Sequence, residues 1–240
     1  MPTAEGRRPS EDPDFRARTA AREDARTPFS ELLKRATWSA HEDAEQHGFT
    51  RALLDGRLPR EGYAAMVAQH YFAYVALERV GRSLAGDPVA GAVVHPGLFR
   101  VPALERDLEA LYGGDWRERI APTAATRAYT ARIERTAGDP AGYVAHHYTR
   151  YLGDLSGGQF IRKVAAGAYG LDERGGTAFY DFSELGSLPR FKAGYRARLD
   201  ALELDEAARD HVVSETRLAY RLNVAVLADL GHIFAADTAA

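Results

Sequence analysis

From Pro28 to about residue 235, apolar residues of this 240-residue chain recur every three to four positions. That period belongs to amphipathic helices, and no stretch alternates as a half-buried strand would. Thr27-Pro28 reads as a helix start, with Thr as cap and Pro at the first helical position. Leu33, Ala36, Ala40 and Ala44 follow on one stripe, then Tyr63, Met66, Val67, His70, Tyr71, Tyr74 and Val75 up to Asp87-Pro88. Leu98, Val101, Leu104, Leu108 and Leu111 form another stripe, closed by Gly113-Gly114-Asp115. Asp139-Pro140 opens a long one through Tyr143, His147, Tyr151 and Leu155, resumed by Ile161, Val164 and Ala168 and stopped near Gly170. Ser187 and Pro189 start the next, with Phe191, Tyr195, Leu199 and Leu202. The last runs from about Asp205 through Val212, Ala219, Asn223, Val226 and Ile233. The pattern predicts an all-α, single-domain fold.

Composition narrows the function classes. With 31 basic and 34 acidic residues the net charge is −3, which argues against a nucleic-acid-binding surface as the main theme. There is no cysteine, so disulfides, zinc fingers and thiolate chemistry are excluded. No apolar run reaches the roughly 18 residues that span a bilayer; Val224 to Ala236 is interrupted by Asp229 and His232. Residues 1–26 are rich in Arg, Glu, Asp, Ala and Pro and carry no secretory signal. They read as a disordered tail, and residues 27–236 as the folded, soluble, cytoplasmic domain.

The segment Tyr148 to Gln159, YTRYLGDLSGGQ, is the most informative. Gly153, Gly157 and Gly158 interrupt an otherwise helical pattern, and each costs up to about 1 kcal/mol relative to Ala there. Something must offset that. Gly153 and Gly157 are four apart and share a face without side chains. Spacing alone leaves two readings open: a close helix crossing, or a flat ligand lying over bare backbone beside Asp154 and Ser156.

That string closely resembles the distal-helix signature of heme oxygenases. Three further places resemble the family in the right order: Leu33-Lys34-Arg35-Ala36-Thr37 followed by His41 and Glu45; Tyr71-Phe-Ala-Tyr-Val-Ala-Leu-Glu78; and Phe191-Lys192 with Tyr195-Arg196-Ala-Arg198. The resemblance spans about residues 28–235. It implies a helical heme-oxygenase-like fold with heme between a proximal and a distal helix. It also implies O2-dependent cleavage of heme to biliverdin, carbon monoxide and ferrous iron, with heme as both substrate and cofactor.

By the same resemblance His41 is the iron ligand. Glu45, one turn on, could hydrogen-bond its second ring nitrogen and fix the tautomer. His47, His70, His146 and His147 are the fallback ligands. Lys34, Tyr148, Lys192 and Arg196 match propionate-contacting positions, and Lys192 and Arg196 share a helix face. Ser156 is placed with these heme-binding residues. Gly153 and Gly157 let the distal backbone lie over the oxygen-binding side. Asp154 would hold a water network there, positioned by Tyr74 and Arg150. Asn223 fits the family, whereas Thr50, Leu53 and Leu227 stand where members often carry larger apolar residues, which leaves the favoured meso carbon open.

Rival classes are weaker. A di-iron bundle needs Glu-x-x-His pairs, and the chain contains none. HExxH is also absent, which removes a zincin. A heme carrier or sensor on the same fold is the alternative, disfavoured by Asp154 and the distal glycines. No nucleotide-binding glycine fingerprint or flavin site is present, so electrons must come from a separate donor, a ferredoxin or an NAD(P)H-dependent reductase.

Overall fold

The start signals read from the sequence coincide with helix boundaries in the computed structural model, which describes residues 27–46, 48–172 and 174–234 and only the backbone of Glu45 and Gln46. The expected tail, residues 1–26, and positions 235 and 236 of the expected domain lie outside the described residues. The described α-helices are, in order, α1 (Phe29–Gln46), α2 (Gly48–Leu54), α3 (Arg60–Ser83), α4 (Val101–Tyr112), α5 (Trp116–Arg119), α6 (Ala124–Arg135), α7 (Pro140–His147), α8 (Gly158–Tyr169), α9 (Leu188–Asp200) and α10 (Glu206–Phe234). Among the described residues there is no strand, only isolated bridges from Asp172 to Gly175 and Gly176. The fold is all-α, as expected.

Local chemistry sets the ends. Asp139 caps α7 by accepting from Gly142 N at 2.9 Å, with Pro140 as the first helical residue. Thr123 Oγ1 caps α6 through Thr126 N at 3.2 Å. Each such cap contributes about 1 kcal/mol. Asp205 Oδ1 accepts from Ala208 N at 2.8 Å and starts α10. The α1 start is held in trans: Ser30 N donates to Asp200 Oδ1 at 2.7 Å, so the end of α9 fixes the beginning of α1. Gly113 and Gly170 close α4 and α8 with φ of 94° and 66°, a backbone state that favours glycine. One expected end is misplaced: α3 stops at Ser83, four residues before Asp87.

The 29-residue α10 runs about 43 Å at the usual helical rise. It packs along α7, α1 and α6, while α3 packs on α4 and α6. The core between them is unusually rich in tyrosine: Tyr63, Tyr74, Tyr129, Tyr143, Tyr151, Tyr180 and Tyr195 are all fully buried. Several find polar partners, Tyr63 at Gly176 O (2.6 Å) and Tyr143 at Leu77 O (3.2 Å) among them. Leu33, Leu53, Leu77 and Leu98 complete the apolar fill at about 1.5–3 kcal/mol each.

The stripe expected to run from Asp139 to Gly170 is broken. After α7 the chain makes a π-helical turn over Tyr148–Leu152, continues helically through Gly153 and Asp154, and bends in a turn that ends at Gly157 before α8. Such wide turns insert an extra residue and recur at functional sites. A buried carboxylate organises the opposite side of this bend. Asp107 accepts from Gly176, Ala178 and Phe179 N, each at 2.8 Å, and so pins the 176–180 loop against α4.

Candidate active site

The bend at residues 153–157 forms one wall of a cavity of about 450 Å³, within the usual size range of small-molecule sites. The proximal wall is α1, with Lys34, Thr37, Trp38, His41 and Ala44. Phe49, Thr50 and Leu53 of α2 and Tyr220, Asn223 and Leu227 of α10 join them. Met66 and His70 of α3, Ile161 of α8 and Tyr180 of the pinned loop complete the lining. Most candidate residues therefore converge on one space: Lys34, His41, Tyr148, Arg150, Gly153, Asp154, Ser156, Gly157 and Arg196 all line it.

His41 is half-buried on α1. Its ring stacks on Trp38, three residues earlier, with centroids 5.5 Å apart and planes 6° apart. Tyr220 meets it edge-on at 5.9 Å. The imidazole thus stands at the cavity with its plane fixed by two aromatic neighbours. The Glu45 side chain, expected to orient this ring, lies outside the described residues, as does His47.

The glycines divide into two kinds. A Cβ on Gly153 would meet nothing within 4 Å, and one on Gly157 would touch only Gly153 O at 3.7 Å. Neither glycine is needed for helix packing, so the close-crossing reading does not hold for them. Both present bare, exposed backbone to the cavity. Gly158 is the packing glycine: a Cβ there would stand 2.8 Å from the Tyr180 ring.

Behind this wall lies a buried polar network. Tyr74 donates its hydroxyl to Asp154 Oδ2. Arg150 donates to Asn223 Oδ1 at 2.8 Å, lies 4.0 Å from Asp154 Oδ1, and stacks its guanidinium 5.1 Å from the Tyr74 ring centroid. Burial pushes the Asp154 carboxyl well above the usual carboxylate range and lowers the Arg150 pKa. Among the described residues, Arg150 Nε and Nη2 are buried without a hydrogen-bond partner, as is the Tyr180 hydroxyl. These orphaned donors suit a site that receives a polar ligand or water. Tyr74, which the sequence placed here, does not itself line the cavity; it bonds Asp154, which does.

Cations gather at the mouth. Arg196 and Lys34 are exposed and line the opening with Tyr148. Lys192 stands at the rim, its Nζ 3.3 Å from Ser156 Oγ. Two fallback histidines are excluded as ligands by their partners: His146 bonds Glu215 at 2.8 Å and His147 bonds Tyr195 Oη at 2.8 Å, both deep in the core. His70 does line the cavity.

Sequence reasoning did not single out Trp38, Tyr220 or Tyr180. Trp38 and Tyr220 carried a usable signal, because they sit three residues before His41 and Asn223 on the same helix faces. Tyr180 carried none: a loop held by Asp107, 73 positions earlier, delivers it.

Comparison with known proteins decides the family. Residues 27–229 match the family model described as heme oxygenase. The chain belongs to the heme oxygenase family. Heme oxygenase 1 of Nostoc sp. is 39% identical over 199 residues, covering 82% of this chain and 84% of that protein. The crystal structure of heme oxygenase-1 from Synechocystis sp. in complex with heme superposes with a TM-score of 0.84 at 34% identity, over 88% of this chain and 96% of the other. Heme oxygenase-2 from the same organism, in complex with heme and NO, gives the same TM-score at 35% identity over 88% of each chain. As a member of this family the chain is an enzyme of heme degradation, and the broken helix at residues 148–157 belongs to a heme oxygenase fold.

Proposed function

We propose that the cleft holds heme between His41 and the bare backbone of Gly153 and Gly157. We further propose that the enzyme cleaves heme to biliverdin, carbon monoxide and ferrous iron, using O2 and electrons from a separate donor. One observation carries this reading: an imidazole and a side-chain-free backbone face the same cavity, with a buried carboxyl held beside the glycines by Tyr74. When bound, heme supplies both the oxygen-binding metal and the carbon skeleton that is cut.

The chain's own residues do the rest. His41 would ligate the iron, its ring plane kept by Trp38 and Tyr220. Lys34, Arg196 and the Tyr148 hydroxyl would meet the two propionates, and Lys192 would join them by leaving Ser156. Gly153 and Gly157 leave room for a diatomic ligand. Asp154, with Oδ2 fixed by Tyr74, presents Oδ1 toward Arg150 and the cavity side. Burial raises the Asp154 carboxyl well above the usual carboxylate range, which favours its proton-holding form over that of an exposed acid, as a group that relays protons requires. The apolar lining from Phe49, Leu53, Met66 and Leu227 excludes bulk water from that relay.

The donor we propose is a ferredoxin or an NAD(P)H-dependent reductase, since the chain shows no nucleotide or flavin motif of its own. No helix of the described residues is long and apolar enough to cross a membrane, and the setting we propose is cytoplasmic. The functional unit we assign is 27–236, with 1–26 as a tail. The test is product analysis. Purified protein loaded with one equivalent of hemin and given ferredoxin, its reductase and NADPH in air should yield biliverdin by chromatography. Heme that stays intact while electrons flow would refute turnover and leave a carrier.

A further inference from the structure

One cavity-lining imidazole has no role in the mechanism above. His70 lies on α3, one turn before Tyr74 on the same face, and lines the cavity. Its ring packs against Phe179 with centroids 5.4 Å apart. Phe179 in turn abuts Tyr180, whose hydroxyl is buried and unpartnered. His70 Nδ1 is likewise buried without a partner, and neither ring nitrogen hydrogen-bonds to a described protein group. An imidazole that lines the cavity with its Nδ1 buried, one turn after Met66 on the same helix face, is costly unless something polar meets it. Burial and the Arg150 guanidinium hold its pKa well below the usual imidazole range. The ring is therefore neutral at physiological pH, with one N–H to donate and one lone pair to accept.

We propose that His70 is a second positioning residue on the distal side, anchoring water beside Asp154 through its ring. The Asp154 network would then have two fixed points on two different elements, α3 and the bend, instead of one. This rests on the reading that the cleft holds heme.

The test compares the ferric heme complexes of wild type, His70→Leu and His70→Gln. The readout is the pH midpoint at which the visible spectrum changes, which reports deprotonation of water on the oxygen-binding side. A neutral imidazole that donates its N–H favours the deprotonated form. His70→Leu should therefore keep a sharp Soret band and raise the midpoint by on the order of one pH unit, the size expected for one lost hydrogen bond to a charging group. His70→Gln, which keeps a donor, should recover at least half of that shift. An unchanged or lowered midpoint in His70→Leu would overturn the proposal. So would a low-spin wild-type spectrum at neutral pH that turns high-spin in His70→Leu, because His70 would then bind the iron itself. Absence of a Soret band in the wild type would overturn the heme reading and this proposal with it.

Discussion

The two walls of the cleft are built on different principles. The α1 wall is a regular helix near the surface: Lys34 is exposed, Trp38 is 48% exposed, and His41 is half-buried. On the proposed reading its function depends on one side chain reaching into the space. The wall at residues 148–158 is a broken helix backed by the tyrosine core: Tyr74 is 0%, Arg150 7% and Asp154 9% exposed. There the proposed function depends on missing side chains and on a buried network behind them. A ligand position tolerates an ordinary, solvent-washed helix. A position that must control oxygen and protons needs burial, because only in a low-dielectric setting do fixed donors act strongly. The difference predicts that the distal wall is the fragile one.

Acid should reveal this most strongly. His147 ends α7 just before the π-helical turn, 4.4 Å from the Tyr151 ring centroid, and burial lowers its pKa to about 3 from an ordinary 6.5. The unfolded chain takes up a proton below about pH 6.5 while the folded one does not. Stability is thus complete above pH 6.5 and lost as pH falls toward 3, by on the order of 5 kcal/mol across the window. Glu215 adds to the loss lower down. Burial alone would raise its pKa, but hydrogen bonds from His146 and Arg132 hold it at about 2 against 4.5, so its share disappears between those values. Urea unfolding followed across pH should show the decline, and His147→Phe should flatten it between pH 6.5 and 3. Equal slopes in the two proteins would contradict the assignment.

Asp154→Ala comes next. It should still bind heme through α1, but biliverdin formation should fall by about 10²–10³-fold, as when a preorganised polar group is removed from an active site. Single-turnover yield against the Soret band separates the two effects, and a normal yield would show that the distal network is dispensable.

The glycines sharpen the comparison at smaller energies. Gly158→Ala would drive a Cβ into the Tyr180 ring and should destabilise the apoprotein by about 1–3 kcal/mol. Gly153→Ala should do the reverse. Its φ of −60° and ψ of −51° suit any residue and the space is open, so stability should rise by up to about 1 kcal/mol. Biliverdin formation should nonetheless drop, since the new methyl enters the cleft. Thermal melts of the apoproteins paired with turnover assays would show whether the two glycines separate in this way.

Much of this was legible in the sequence because it is local. Helix starts at Asp139-Pro140 and Asp205 depend on a residue and its neighbours three positions on, and the stripes follow from burial at a fixed period. The convergence of His41, Gly153, Asp154 and Arg196 was legible through the family resemblance, whereas spacing alone left the glycines undecided. What stayed hidden was non-local or shape-dependent. The π-helical turn at Tyr148 has no distinct residue pattern. Tyr180 reaches the cleft only because Asp107 captures three backbone N–H groups far along the chain. Whether a helical glycine faces a neighbour or open space, as Gly158 and Gly153 do, depends on what another segment places beside it.

The division of labour between the walls is tested most directly by titrating hemin into wild type and His41→Ala and following the Soret band. The wild type should saturate at one equivalent with a sharp band, and His41→Ala should give a weak, broad one while its circular dichroism and melting temperature stay close to wild type. A sharp, unshifted Soret band in His41→Ala would contradict the account, because the ligand would then come from elsewhere in the cleft.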